Sequence, residues 1–366
     1  MSQDKIFWSS QNIKLFFTTT VVTTFVAMAV ASCGVQTTAI QGSVWIANEG
    51  GNSLTVVDAG TNKVITTLTG IEGPHNVQLS PDNKTVWAAS GHKSLAVAID
   101  AATYTLKGTA PTGKMPAHII LTPDGKNVYV TNGGDDSVTV IDTATMKVVA
   151  TIPVGKSAHG LRASPDGKWI YVANVNDTKV SVIETATNTK VADIEVGQKP
   201  AQVGFSPDGK FVYVSLVAEN AVAKIDVSGR VVVGKTQVGS GPIQVFVSPN
   251  NKYLLVANQG TEQTPSTTVS IIDTETFSVV KTVETGKGAH GVVIEPSSRY
   301  AYITNIFGNN VAILNLATLE ITATVPIGLK PNGISFSLLA PSPASTADIA
   351  IKLPDTKDSD DGDMKH

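Results

Sequence analysis

Ser164-Pro165-Asp166-Gly167-Lys168, running straight into Trp169-Ile170-Tyr171-Val172-Ala173-Asn174, decides the fold. The first five residues make a tight turn. Proline fixes φ, aspartate bonds nearby backbone, and glycine supplies a positive φ. The six that follow are short, apolar and rich in β-branched and aromatic side chains, so they read as a strand. Working outward, residues 158–164 read as a strand before the turn, and residues 179–183 alternate with period two. Thr185-Ala186-Thr187-Asn188 is a second turn, and residues 190–195 make a fourth strand.

This unit recurs. Ser80-Pro81-Asp82-Asn83-Lys84, Thr122-Pro123-Asp124-Gly125-Lys126 and Ser206-Pro207-Asp208-Gly209-Lys210 copy the turn, and Ser248-Pro249-Asn250-Asn251-Lys252 and Glu295-Pro296-Ser297-Ser298-Arg299 are looser copies. The prolines at 81, 123, 165, 207, 249 and 296 are spaced by 42, 42, 42, 42 and 47 residues, the extra five lying in the loop near 261–268. A four-stranded meander at this period is the signature of a β-propeller, in which radial stacking buries both faces of sheets that cannot bury them alone. The first copy, residues 43–68, holds only the second to fourth strands. Pro331-Asn332-Gly333-Ile334-Ser335-Phe336-Ser337 supplies only a first. The expected fold is therefore all-β, a seven-bladed propeller over residues 43–339. The ring closes by pairing the N-terminal strands with a C-terminal strand, which leaves no open sheet edge.

Tyr129-Val130-Thr131-Asn132, Tyr171-Val172-Ala173-Asn174, Tyr213-Val214-Ser215 and Tyr302-Ile303-Thr304-Asn305 resemble the YVTN family of β-propeller repeats, and the resemblance covers residues 43–338. It implies the fold strongly and a function weakly. The family includes surface-layer components, DNA-binding periplasmic proteins, metal chaperones and relatives of redox enzymes, and a fold does not fix a function.

Charged residues make up 16% of the 366 and hydrophobic ones 42%, which excludes disorder for most of the chain. The 27 basic and 30 acidic residues balance to −3, so there is no electrostatic footprint for nucleic acid and no nucleic-acid partner is expected. A single cysteine rules out an intramolecular disulfide and a cysteine zinc cluster. That cysteine sits in Val30-Ala31-Ser32-Cys33-Gly34, behind Lys5, Lys14 and an apolar run over 15–31. Residues 1–32 read as a secretory signal. The four residues ending at Cys33 resemble a bacterial lipobox, with Val30 where leucine is usual. The resemblance implies lipidation of Cys33, a linker over 33–42, and membrane contact through the lipid anchor only. With Gly34 rather than aspartate next, it implies a cell-envelope protein on the outer membrane or cell surface. A secreted protein with a stray cysteine, or a simple N-terminal anchor, is the plainer account. Residues 340–366 start Pro/Ser/Thr-rich and end with Asp355, Asp358, Asp360, Asp361 and Asp363, which reads as a disordered acidic tail.

Propeller ligands usually bind at the mouth of the central channel. Six residues before the turn proline stand His75, Ala117, His159, Ala201, Ile243 and His290, with Asn332 in the closing blade; His118 lies one position later. With the closing blade as the first, His75, His159 and His290 fall in blades two, four and seven, nearly threefold about the axis. Three neutral imidazoles aimed at one point leave an open fourth position, as in His-only zinc sites; copper also accepts imidazole. His75, His159, His290 and, beside them, His118 are the candidate metal ligands, for zinc first and copper second. Asp135-Asp136, Asp177 and Glu219 are acids near the same mouth. Against this, straight period-two counting puts the three equivalent histidines on the interblade face, where each would only bond a neighbouring blade, and gives His118 the opposite parity. Arg162 is the only charged residue inside an innermost strand apart from the turn position Glu295, and suits an anion or an interblade contact. Asp58, Asp100, Asp142, Asp226 and Asp273 recur at the end of strand three and read as turn caps.

No nucleophile elbow, P-loop or dinucleotide fingerprint is present. The sequence thus favours a monomeric, non-enzymatic binding protein that presents its loop face to a protein partner in the envelope, with metal handling as a narrower form. The alternative is a propeller enzyme with a channel-bound cofactor, either a haem-type oxidoreductase or a lactonase-like hydrolase.

Overall fold

The computed structural model describes residues 40–342 and 348–354. Cys33 and the whole signal region lie outside the described residues, as do the aspartates from 355 onward. Seven antiparallel sheets of four strands make seven blades; the closing one carries a fifth strand. The expected seven-bladed propeller is the observed fold. Among the described residues no helix is long and apolar enough to cross a membrane.

Blade 1 joins the chain's two ends. Ser43–Asn48, Ser53–Asp58 and Lys63–Thr69 come from the start, and Pro331–Ser337 from the end provides the innermost strand. The register is antiparallel, with Val44 opposite Phe336, Trp45 opposite Ser335 and Ile46 opposite Ile334. The innermost strands of blades 2 to 7 are Pro74–Leu79, Pro116–Leu121, Ala158–Ala163, Pro200–Phe205, Pro242–Val247 and Ala289–Ile294. Each touches the next around the axis, and Pro331–Ser337 completes the ring.

The apolar core lies between blades rather than at the axis. Tyr171 packs with Val203 and Val214 of the next blade, and Ile46 packs with Tyr302 and Val311 of blade 7. The repeated tyrosines Tyr129, Tyr171, Tyr213 and Tyr302 are fully buried, so this motif residue is an interblade spacer. Trp45 and Trp87 are buried too, and Trp169 is half-buried beneath the Arg230 guanidinium.

The turn chemistry follows the sequence. Ser164 Oγ donates to Asp166 Oδ1 at 2.6 Å, Asp166 Oδ1 accepts Lys168 N–H at 3.1 Å, and Gly167 sits at φ +72°. The strand-three aspartates cap turns as expected: Asp100 accepts Ala102 and Thr103 N–H, and Asp273 accepts Glu275 and Thr276 N–H. These bonds hold both carboxyls below the usual range.

Part of the stretch expected to be tail belongs to the fold. Ile349–Ala350 pairs in parallel with Leu68 and Thr69, and Ile351 is buried beside Leu68 and Ile71. Ser342 N–H also bonds the Tyr104 hydroxyl. Ile349, Ile351 and Leu353 alternate with Ala350 and Lys352, a short period-two run masked in the sequence by the acidic stretch behind it.

Candidate metal centre

Every innermost strand carries one extra residue at its start. In blade 2 Pro74 pairs with Ser90 and Asn76 already with Ala89, so the strand bulges at His75. Blades 3, 4 and 7 repeat this between Pro116 and Ile119, Ala158 and Leu161, and Ala289 and Val292. A bulge bends its strand and re-aims the side chains around it. Straight period-two counting fails there. The structure corrects the expectation that His75 and His159 face away from His118: both parities arrive at one cluster.

His75, His118 and His159 meet at the mouth of the channel, from the adjacent blades 2, 3 and 4. One ring nitrogen from each lies within 4.8 Å of the other two. The Nε2 atoms of His75 and His159 are 3.2 Å apart. The His118 ring stands edge-on to both, with centroids 5.4 Å from His75 and 4.7 Å from His159. All three side chains are buried. The fourth candidate, His290, is buried with its ring centroid 6.3 Å from His75 and stands outside this group of three. The nearly threefold arrangement of His75, His159 and His290 is thus replaced by a one-sided trio. The reason is that His118 uses the bulge to reach the axis from the blade between His75 and His159. His92 is exposed and lies over Gly73, away from the trio.

The hydrogen bonds fix where protons sit. His159 Nδ1 is 2.9 Å from Ala201 O, and a carbonyl only accepts, so Nδ1 carries the proton. The neutral ring then turns the Nε2 lone pair toward His75. His75 Nε2–H donates across the 3.2 Å gap. His75 Nδ1 faces Asn332 Nδ2 at 3.1 Å and Glu49 Oε1 at 3.4 Å, while Asn332 Nδ2 also donates to Glu49 Oε2 at 2.8 Å. His118 differs. Gln202 Oε1 accepts Val203 N–H at 2.9 Å, which orients the amide so that its Nε2 donates to His118 Nδ1 at 3.3 Å. The His118 proton therefore sits on Nε2, which has no hydrogen-bond partner among the described residues. Burial first, then the fields of His159, His75, Arg162 and His290, hold His118 well below the ordinary histidine range, so the ring is neutral at neutral pH.

Glu49 is the acid the sequence reading missed. Its signal was available: at the position after strand two, the copies read Glu49, Gly91, Gly133, Val175, Val217, Gln259 and Ile306, with one charge among them. The acids singled out instead tie loops together. Asp136 accepts Ser157 N–H, and Glu219 accepts Gln198 N–H and pairs with Lys235.

The repeat motif also gains a physical meaning. Thr131 Oγ1 accepts His118 N–H within its blade and donates to His159 O in the next. Ser215 and Thr304 make the same clamp, to Ile243 O and Asn332 O. Blade 4 has Ala173 at this position and no hydroxyl. There the His159 imidazole makes the interblade bond to Ala201 O instead. Gly160 leaves room for it. A Cβ at 160 would lie 2.3 Å from Gln202 Oε1 and 2.5 Å from Ala201 O. Gly160→Ala should push away the groups that orient His159 and His118, at a cost of about 1–3 kcal/mol from overpacking. The expected result is a melting temperature lower by several degrees and a weakened metal site, read by thermal unfolding and zinc titration.

A family model described as YNCE-like beta-propeller matches residues 90–353. The chain belongs to the YNCE-like β-propeller family. No curated protein matches it. Among solved structures, this YNCE-like propeller is similar to a chain of Kuenenia stuttgartiensis hydrazine synthase, at 26% identity and TM-score 0.65, over 72% of this chain and 89% of that one. It is similar in fold to a functionally unknown protein from Desulfotomaculum acetoxidans (16% identity, TM-score 0.71, 82% and 99% covered). It is likewise similar in fold to a putative 6-phosphogluconolactonase from Bacteroides fragilis (18% identity, TM-score 0.71, 82% and 99% covered).

Proposed function

We propose that this YNCE-like propeller is a non-enzymatic envelope protein that holds one divalent cation on His75, His118 and His159, zinc ahead of copper, and presents the loaded loop face to a protein partner. The 3.2 Å separation of the His75 and His159 Nε2 atoms carries the reading. Two nitrogens bound tetrahedrally at zinc distances of 2.0–2.1 Å stand about 3.3 Å apart. The ion would replace the proton that bridges the two rings. The displaced His75 proton has a place to go, since Nδ1 faces the Glu49 carboxylate, and His159 already donates its other N–H to a carbonyl. Both are the outer-shell partners that metal-bound histidines keep. His118 supplies the third nitrogen when its proton moves to Nδ1 and the Gln202 amide turns. Three imidazoles leave one position open to a partner's donor, which suits delivery of an ion. The lipid anchor at Cys33 and the envelope location belong to this proposal and rest on the sequence signals alone.

The test is zinc and copper binding by the purified chain and by the His75→Ala/His118→Ala/His159→Ala variant. Near-stoichiometric binding that disappears in a folded variant supports metal handling. Binding that survives the triple substitution, or absent in the parent chain, overturns it and leaves a metal-free scaffold.

A further inference from the structure

Among the described residues blade 1 alone carries a fifth strand, and its outer edge differs from the other six. The residue after the outermost strand is β-branched in blades 2 to 7, from Thr112 to Ile327, and is Gly70 in blade 1. The Ile351 carbonyl takes the vacated space: a Cβ at 70 would lie 2.3 Å from Ile351 O. The outermost strands of blades 2, 3 and 7 end on Pro111, Pro153 and Pro326, and those of blades 4 and 6 on Glu195 and Glu284. Proline and charge blunt an exposed edge. Blade 1 ends instead on Thr69, whose carbonyl accepts Ile351 N–H at 2.8 Å.

The resident strand uses little of this edge. Ile349 and Ala350 pair with Leu68 and Thr69, two of the seven residues of Lys63–Thr69. Ile349, Ile351 and Leu353 join the cluster of Leu68, Ile71 and Tyr104, while Ala350 and Lys352 are exposed. Toward Lys63 the outer side of the strand has no ladder partner among the described residues. Val64 is 42% exposed there. Thr66, on the same face as Leu68, has a buried hydroxyl with no hydrogen-bond partner among the described residues. One buried isoleucine and a two-pair ladder must offset the ordering of the whole segment. The segment is therefore held largely because it belongs to the same chain, which keeps its local concentration high.

We infer that the outer edge of blade 1 is a strand-docking site for a protein partner. The occupant is an extended segment that alternates apolar and polar residues as residues 349–353 do, laid parallel to Lys63–Thr69 in place of the chain's own strand. A longer strand continues the ladder toward Lys63 and brings a side chain beside the Thr66 hydroxyl, which gives it the advantage over the resident. Main-chain bonds supply affinity and the inward-facing positions supply specificity. The edge runs into residues 70–73, the loop that leads to Pro74 and His75, so the partner lies beside the loop face. The site stands whether or not the histidines take an ion.

The probe is a fluorescein-labelled peptide of residues 347–354. Its binding is read by fluorescence polarisation, without metal, against the full chain and its Ile351→Asp variant. The substitution unseats the resident strand and leaves the ring closure at Pro331–Ser337 in place. The peptide should bind the variant in the micromolar range and the parent roughly tenfold or more weakly, because the resident competes at high local concentration. The same peptide carrying Ile351→Asp and Leu353→Asp should not bind. Hydrogen exchange on the parent chain keeps the test open if the variant misfolds: the Ile351 amide should exchange about 100-fold faster than those of Ser53–Asp58. No binding to a folded variant, or an Ile351 amide as slow as the blade interior, overturns the site. A parent chain that runs as a dimer and turns monomeric with Ile351→Asp assigns the edge to a second copy and overturns the partner.

Discussion

A chain ending at residue 330 should lose cooperative folding. The missing piece includes Pro331–Ser337, the innermost strand of blade 1, which pairs the chain's end with its beginning along Ser43–Asn48, and also the Ile349–Ala350 strand beside Lys63–Thr69. Without it Val44 and Ile46 face solvent on an unpaired edge, and blades 7 and 2 lose the neighbour between them. Ile334 contributes about 2 kcal/mol by burial, and the half-buried Phe336 adds less. The lost strand pairing and the opened blade interfaces add to that. The total is comparable with the roughly 5–15 kcal/mol by which a folded domain is stable. The measurement is thermal unfolding by circular dichroism together with limited proteolysis. A sharp transition within a few degrees of the full chain would show that six blades and a partial seventh stand alone, and would refute the closure argument.

His159→Ala should weaken zinc binding at least 100-fold, about 2.7 kcal/mol, in competition with a chromophoric chelator. His159 supplies one of the two nitrogens already at ligand spacing and bonds Ala201 O of blade 5 at the level where Ala173 has no hydroxyl. Some loss of thermal stability should accompany the loss of affinity. Glu49→Gln removes the carboxylate beside His75 Nδ1 without removing a ligand, and should cost about 10–100-fold with the fold intact. His290→Ala should change affinity by less than about threefold, because His290 is not one of the close trio. If His290→Ala costs as much as His159→Ala, the ion sits on the axis among His75, His159 and His290, and the one-sided site is wrong.

The repeat architecture was legible because its causes are local. Ser-Pro-Asp-Gly-Lys turns and period-two strands announce themselves in a few residues, and 42-residue spacing counts the blades. Even the closure was legible, since the first copy lacks a strand that the last supplies. The site was legible in its residue types and not in its geometry. His75, His118 and His159 were all visible, yet their convergence depends on a bulge, and one inserted residue reverses every inference drawn from alternation. Glu49 and Gln202 act through side chains from other blades, 26 and 84 residues from the histidines they orient. Nothing local marks such pairings. The tail was misread for a related reason: a three-residue apolar alternation carries little weight beside a run of aspartates until an edge strand is there to receive it.

The closing blade has a consequence for how the protein is made. Glu49 lies near the start of the folded chain, Asn332 near its end, and both bear on one imidazole, His75. During synthesis the blade 2 histidine emerges long before its last orienting group exists. If the site takes the proposed ion, a nascent chain cannot capture it in the finished geometry, and loading waits for the final strand. Mass action then works in reverse. An ion that binds only the sealed ring stabilises it, by about 2.7 kcal/mol at a hundredfold excess over its dissociation constant. The seam between the two termini would be the first place to open when the ion leaves.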